Sequence, residues 1–249
     1  FLQKHKDARQ SLKIPYFEGF KTCKNIKTCS GKWALLFDWL FDKSPLKIKG
    51  GTLLLVSHHN RMKDNTGQGL FPIKKGSNCN AYANNVCLRI EIKNSNIVSI
   101  KVAFGGFPDK GDLIDKCKDD FQGGGKQYNY CCKIEDDNIE DDNIDTSCIK
   151  EGLAAYLHNH KIQNVVIYLV RHGNSLHNAP INKSLALDSC LTYLGMYQAK
   201  LLGEYLKKHY IEDFKNPIVL GTSFLARTQL TGLCILKSIG GLDNKNNTA

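Results

Sequence analysis

An apolar run from Asn164 to Val170 passes directly into Arg171-His172-Gly173-Asn174-Ser175-Leu176-His177-Asn178. A guanidinium, an imidazole and a glycine therefore fall where a buried strand would meet its loop. Those three residue types suit a phosphoryl group. An arginine fork holds two phosphate oxygens, glycine lets an anion approach the backbone, and a neutral imidazole can attack phosphorus at physiological pH. The other reading of the same residues is a loop histidine beside a surface arginine.

Two other chemistries find less support. The ten cysteines (23, 29, 79, 87, 117, 131, 132, 148, 190 and 234) include no Cys-x-x-Cys pair and no paired Cys/His spacing of a zinc site, so no metal or other cofactor is expected. The period Glu135-Asp136-Asp137-Asn138-Ile139, repeated from Glu140 to Ile144, lacks the sixth-position glycine and twelfth-position glutamate of an EF-hand loop. It reads as a solvated acidic loop.

The elements that would position the Arg171–Asn178 loop alternate between helical and strand patterns. Before it come an apolar helix candidate, Lys32 to Phe41, a buried strand, Thr52 to Ser57, and two β-rich runs, Val86 to Ile92 and Ile97 to Phe104. The polar link Lys93 to Asn96 makes those runs a hairpin at a sheet edge. A helix near Ile149 to His158, the strand Asn164 to Val170, a helix near Met196 to His209, a strand Pro217 to Gly221 and a helix near Ala226 to Ile239 follow. Strands alternating with helices predict an α/β sandwich with a mostly parallel sheet covered on both faces, and ligands at the carboxyl ends of its strands. Residues 107 to 163, with their glycine run and acidic repeat, divide the chain into segments 1–106 and 164–249.

Three motifs in the last segment resemble the histidine phosphatase superfamily, which includes the phosphoglycerate mutases. Its Arg-His-Gly-x-Ser/Thr-x-x-Asn is met by Arg171, His172, Gly173, Ser175 and Asn178, with Asn174 where Glu or Gln is usual. Its Leu-Thr-x-x-Gly-x-x-Gln-Ala is met from Leu191 to Ala199, and its Ser-x-Leu-x-Arg-Thr-x-x-Thr-Ala/Gly from Ser223 to Gly232. The resemblance implies that Arg227 is a second phosphate-binding guanidinium, and that Ser175 and Asn178 support the pocket.

In that family a glutamate acid/base and a second histidine come after these motifs. Here the matching segments come before them. Gly51-Thr52-Leu53-Leu54-Leu55-Val56-Ser57-His58 is similar to the strand ending in Ser-His, and Leu12 to Glu18 to the short strand leading to the acid/base. Asn78 to Ile92 is similar to the segment entering the last strands, whereas His59 stands where a glycine usually follows Ser-His. The resemblance thus implies His58 as a second catalytic and phosphate-binding histidine and Glu18 as acid/base. The residues alone also allow a strand-end histidine held by backbone groups and an exposed loop carboxylate. The rotated order implies a three-layer, phosphoglycerate mutase-like α/β/α sandwich. Residues 1–106 supply its C-terminal half and 164–249 its N-terminal half, as one circularly permuted domain or as a fragment of a tandem.

Composition bounds the partners. Of 249 residues, 42% are hydrophobic and 23% charged, an ordinary balance for a folded chain. No apolar stretch approaches the roughly 20 residues of a membrane helix, so no membrane partner is expected. The formal charge is +10 although Ile134 to Asp145 holds seven acids and no Lys or Arg, so the basic surplus lies elsewhere. Such a surplus favours anionic partners. A small phosphorylated substrate or a phosphoprotein fits better than nucleic acid, because no aromatic interleaving or known reader pattern accompanies the charge. The chain starts at Phe1 with no signal-like segment, which suggests a piece of a longer reading frame. On that reading the thiols are reduced, mostly core residues in the cytoplasm, with Cys131 and Cys132 the one candidate redox pair.

The expected activity is metal-independent phosphomonoester hydrolysis through a phosphohistidine at His172. A phosphoglycerate-type phosphomutase and an inactive phospholigand-binding module are the alternatives.

Overall fold

The computed structural model describes residues 38–43, 48, 50–58, 84–107, 164–176 and 188–240. Its frame is a five-stranded sheet in the order β3-β2-β4-β1-β5. The strands are β1 (Gly51–Ser57), β2 (Cys87–Lys93), β3 (Asn96–Phe104), β4 (Val165–Arg171) and β5 (Ile218–Thr222). β1 runs parallel to both neighbours, β4 and β5, whereas β2 pairs antiparallel with β4 and β3. Strands from before residue 107 and after residue 164 thus interleave in one sheet. The mostly parallel α/β architecture is consistent with the phosphoglycerate mutase-like fold that the sequence resemblance implies.

The β2–β3 hairpin occupies one edge, as its alternating pattern predicts. Its two-residue turn, Asn94-Ser95, has φ of 50° and 62°, the left-handed pair that matches strand twist in a tight hairpin. The inner strands are aliphatic on both faces because both are covered. On one side Leu53, Leu55, Leu88, Ile90, Ile167 and Leu169 pack with Leu40 and Phe41. On the other, Leu54, Val56, Tyr168 and Val170 meet helices α1 (Tyr193–Tyr210) and α2 (Ala226–Ile239).

The helix candidate at Lys32 to Phe41 lies mostly outside the described residues. Its described end, Trp39–Lys43, is a π-helix that continues past Phe41. Helix α1 starts three residues before the periodicity suggests, because Thr192 caps it by accepting from the Gly195 N–H at 3.0 Å. Cys87 is a buried core thiol as expected, but Cys190 is exposed and Cys234 half-buried, so two of the three described cysteines depart from the core reading. The acidic repeat, Cys131 with Cys132, and the helix near Ile149 to His158 lie outside the described residues. No described helix is long and apolar enough to cross a membrane.

Candidate phosphoryl-transfer site

Parallel strands bring their carboxyl ends to one edge, and the register decides which residues meet there. Ser57 pairs with Arg171, and Val56 with Thr222, so His58, His172 and Ser223 each stand just beyond adjacent strand ends. The His172 N–H donates to Ser57 O at 3.0 Å. The two imidazoles form an edge-on pair with ring centroids 5.2 Å apart. Residues 114 positions apart in the chain thereby share one site.

The His172 ring is held by its own loop. Nδ1 lies 2.8 Å from Gly173 O, an acceptor only, so Nδ1 carries the proton and Nε2 the lone pair. Among the described residues Nε2 has no hydrogen-bond partner. The residue is 5% exposed, and this burial is the main reason its pKa falls to about 3. Repulsion from Arg171, His58 and Arg227 lowers it further, against the hydrogen bond to Gly173 O. The ring is neutral at physiological pH. An unprotonated Nε2 amid positive charge is what attack on an anionic phosphorus centre needs.

The loop behind His172 is clamped by both helices. Gly173 N–H donates to Thr231 Oγ1 at 3.0 Å and Asn174 N–H to Gln198 Oε1 at 3.0 Å. Thr192 donates from its backbone N–H to Asn174 O and from Oγ1 to Asn174 Oδ1. Asn174, where the family pattern has Glu or Gln, thus ties the loop to the α1 cap. Gly195 permits the approach, since a Cβ there would lie 1.9 Å from Asn174 O. Thr192, Gly195, Gln198 and Thr231, which the sequence supplied only as letters of the family motifs, are the residues that fix the loop.

Arg171 ends β4 and is buried, with its backbone N–H donating to Val86 O. Arg227 lies in the first turn of α2. Burial lowers its pKa, Asp188 opposes that shift, and the guanidinium stays cationic. Its Nε is buried and, among the described residues, makes no hydrogen bond, a donor that an oxyanion would satisfy. Asp188 also accepts from the Ala226 N–H at 2.7 Å, which caps α2 from a distance of 38 residues.

His58 and Ser175 are also in place. His58 Nε2 lies 2.7 Å from Ser223 Oγ, while Ser175 is fully buried and bridges to Leu191 across the start of the loop. Glu18 and Asn178 lie outside the described residues. Sequence reasoning missed a polar pair at the same edge. Asn84 and Asn85 are fully buried, neither carboxamide has a hydrogen-bond partner among the described residues, and the Asn85 N–H donates to Arg171 O. Their one signal was two adjacent asparagines before an apolar strand, which also describes an ordinary turn. Among the described residues no cluster of His, Cys, Asp or Glu could hold a metal ion.

No curated protein and no solved structure matches the chain. Residues 167–245, which carry all three motifs, the His172 loop and Arg227, match the family model of the histidine phosphatase superfamily (branch 1).

Proposed function

We propose that the protein is a metal-independent phosphomonoester hydrolase working through a phosphohistidine on Nε2 of His172. The superfamily match over residues 167–245 supports phosphatase- or mutase-type activity in general. The observation that carries the finer reading is the state of His172: Nδ1 bound to Gly173 O, the ring neutral, and three cationic or ionisable groups close enough to depress its pKa.

In the first step Nε2 forms a bond to phosphorus as the bond to the leaving oxygen breaks, and Glu18 gives that oxygen a proton. In the second, Glu18 takes a proton from water, whose oxygen attacks phosphorus. The P–N bond breaks, phosphate leaves, and His172 returns neutral. Arg171, Arg227 and His58 hold the equatorial oxygens, with Ser175 and Asn178 supporting the pocket. The substrate is a small phosphorylated molecule or a phosphoprotein, and the site of action is the cytoplasm. Residues 1–106 and 164–249 are the two halves of one circularly permuted domain, joined by 107–163.

The test is p-nitrophenyl phosphate turnover with and without His172→Ala, together with alkali-quenched capture of an acid-labile, base-stable phosphoryl label. Loss of both in the folded variant supports the reading, and undiminished hydrolysis by it overturns the reading. Isomerisation rather than phosphate release on adding a bisphosphate primer would make it a mutase. Phosphate binding without turnover would make it a binding module.

A further inference from the structure

The hydroxyls beside His58 have a hydrogen-bond inventory that closes. Thr228 Oγ1 lies 2.7 Å from Leu225 O and 3.0 Å from Ser223 O. Both are acceptors only, so the single hydroxyl hydrogen of Thr228 is spent on them. The 2.9 Å contact between Thr228 Oγ1 and Ser223 Oγ must then use the hydrogen of Ser223. Ser223 Oγ is left with lone pairs alone. One accepts from the Leu225 N–H at 3.3 Å, and the other faces Nε2 of His58 at 2.7 Å. That last contact is a hydrogen bond only if Nε2 carries a proton.

We infer that Ser223 is a positioning residue that fixes His58 as its Nε2–H tautomer, with Thr228 setting the direction of the Ser223 hydroxyl. The inference rests on the phosphoryl-transfer reading only for its kinetic consequence. With Nε2 committed to Ser223, His58 meets a phosphoryl oxygen through Nδ1, and it can donate there only as imidazolium.

The arrangement has a structural logic. Ser223 stands one residue past β5, His58 one past β1, and Val56 pairs with Thr222, so neighbouring strands carry the hydroxyl to the ring. Thr228 is fully buried in the first turn of α2 and donates to Ser223 O and Leu225 O at that helix entrance. The same turn carries Arg227. Helix entrance, arginine and histidine orientation are therefore set by one short segment, Ser223 to Thr228.

The experiment is long-range 1H–15N correlation of the imidazoles in the full chain at about pH 9, where the rings are neutral. In the wild type His58 is expected to show the Nε2–H pattern. Ser223→Ala should return it to a mixture of tautomers, and Thr228→Val, which frees the Ser223 hydrogen to donate, should shift it toward Nδ1–H. An Nδ1–H pattern in the wild type, or one unmoved in both variants, overturns the inference. If turnover exists, Ser223→Ala should lower kcat by about 10- to 100-fold with KM changed by less than about threefold. A wild-type Nε2–H pattern that depends on Ser223 in a protein inert toward phosphomonoesters would uphold the positioning role and remove the catalytic reading instead.

Discussion

His172 combines two demands that oppose each other in water: a free lone pair and a strongly positive neighbourhood. Burial resolves the conflict, because desolvation disfavours the imidazolium and the nearby cations add to that penalty. The cost appears at acid pH. The native ring protonates near pH 3 and the unfolded one near 6.5, so below 6.5 the unfolded chain binds the extra proton. The contribution of this residue to stability is complete above 6.5 and lost as pH falls toward 3, by about 1.4 kcal/mol per pH unit at most. His172→Asn keeps a donor near Gly173 O and removes the titration. Urea unfolding at pH 7 and pH 4 should show the variant gaining about 3 kcal/mol on the wild type between the two. An equal pH dependence for both would mean that the ring is not desolvated. For the same reason, kcat/KM should show no acid limb near 6.5 from the nucleophile, and any limb there belongs to another group.

At the scale of elements, the α1 entrance and the His172 loop are one construction. Thr192 caps the helix, donates to Asn174 Oδ1, and sits three residues before the glycine that lets Asn174 O approach. Thr192→Ala should cost about 1 kcal/mol through the lost cap, and activity should fall further than that loss of stability explains, because the Asn174 contact goes with it. Gly195→Ala must push Asn174 away and should cost about 1–3 kcal/mol, with His172 displaced along with its loop. Thermal melts with parallel turnover measurements check both, and a variant with lowered Tm but wild-type kcat would uncouple cap from site. Much of this was legible in the sequence. The strands announced themselves by unbroken aliphatic runs, and Thr192 by its place in the Leu191–Ala199 motif. The start of α1 was not, since Tyr193 is 90% exposed and gives no inward periodicity. Nor was the tie between His58 and Ser223, which are 165 residues apart and meet only through strand register. The Asn84–Asn85 pair stayed hidden because burial of a polar side chain leaves no mark in spacing.

At the scale of the molecule, the sheet order places β1 between β4 and β5, so a strand from the first part of the chain lies at the centre of the second. Leu53, Leu54 and Val56 on β1 are buried on both faces, and the parallel ladders on either side leave the strand no edge of its own. A second tie lies across the opposite edge. Arg89 on β2 forms a paired contact with Asp213, just before β5, and Tyr168 on β4 donates to the same carboxylate. Asp213 O also accepts from Thr52 of β1, so three strands converge on one short turn. Removing the first segment would strip β4 of both its neighbours and leave the Asp213 carboxylate without its arginine, and removing the second would leave Arg89 without that carboxylate and take β4 from between β2 and β1. A broken buried pair of that kind costs about 3–5 kcal/mol even before the lost core is counted. The chain cut into 1–107 and 108–249 should therefore give two pieces that show no cooperative thermal transition alone and regain one, with the native far-ultraviolet spectrum, when coexpressed. A cooperative transition in 108–249 by itself would mean that the later segment completes its own sheet, as a tandem fragment would, and the single permuted domain would have to be given up.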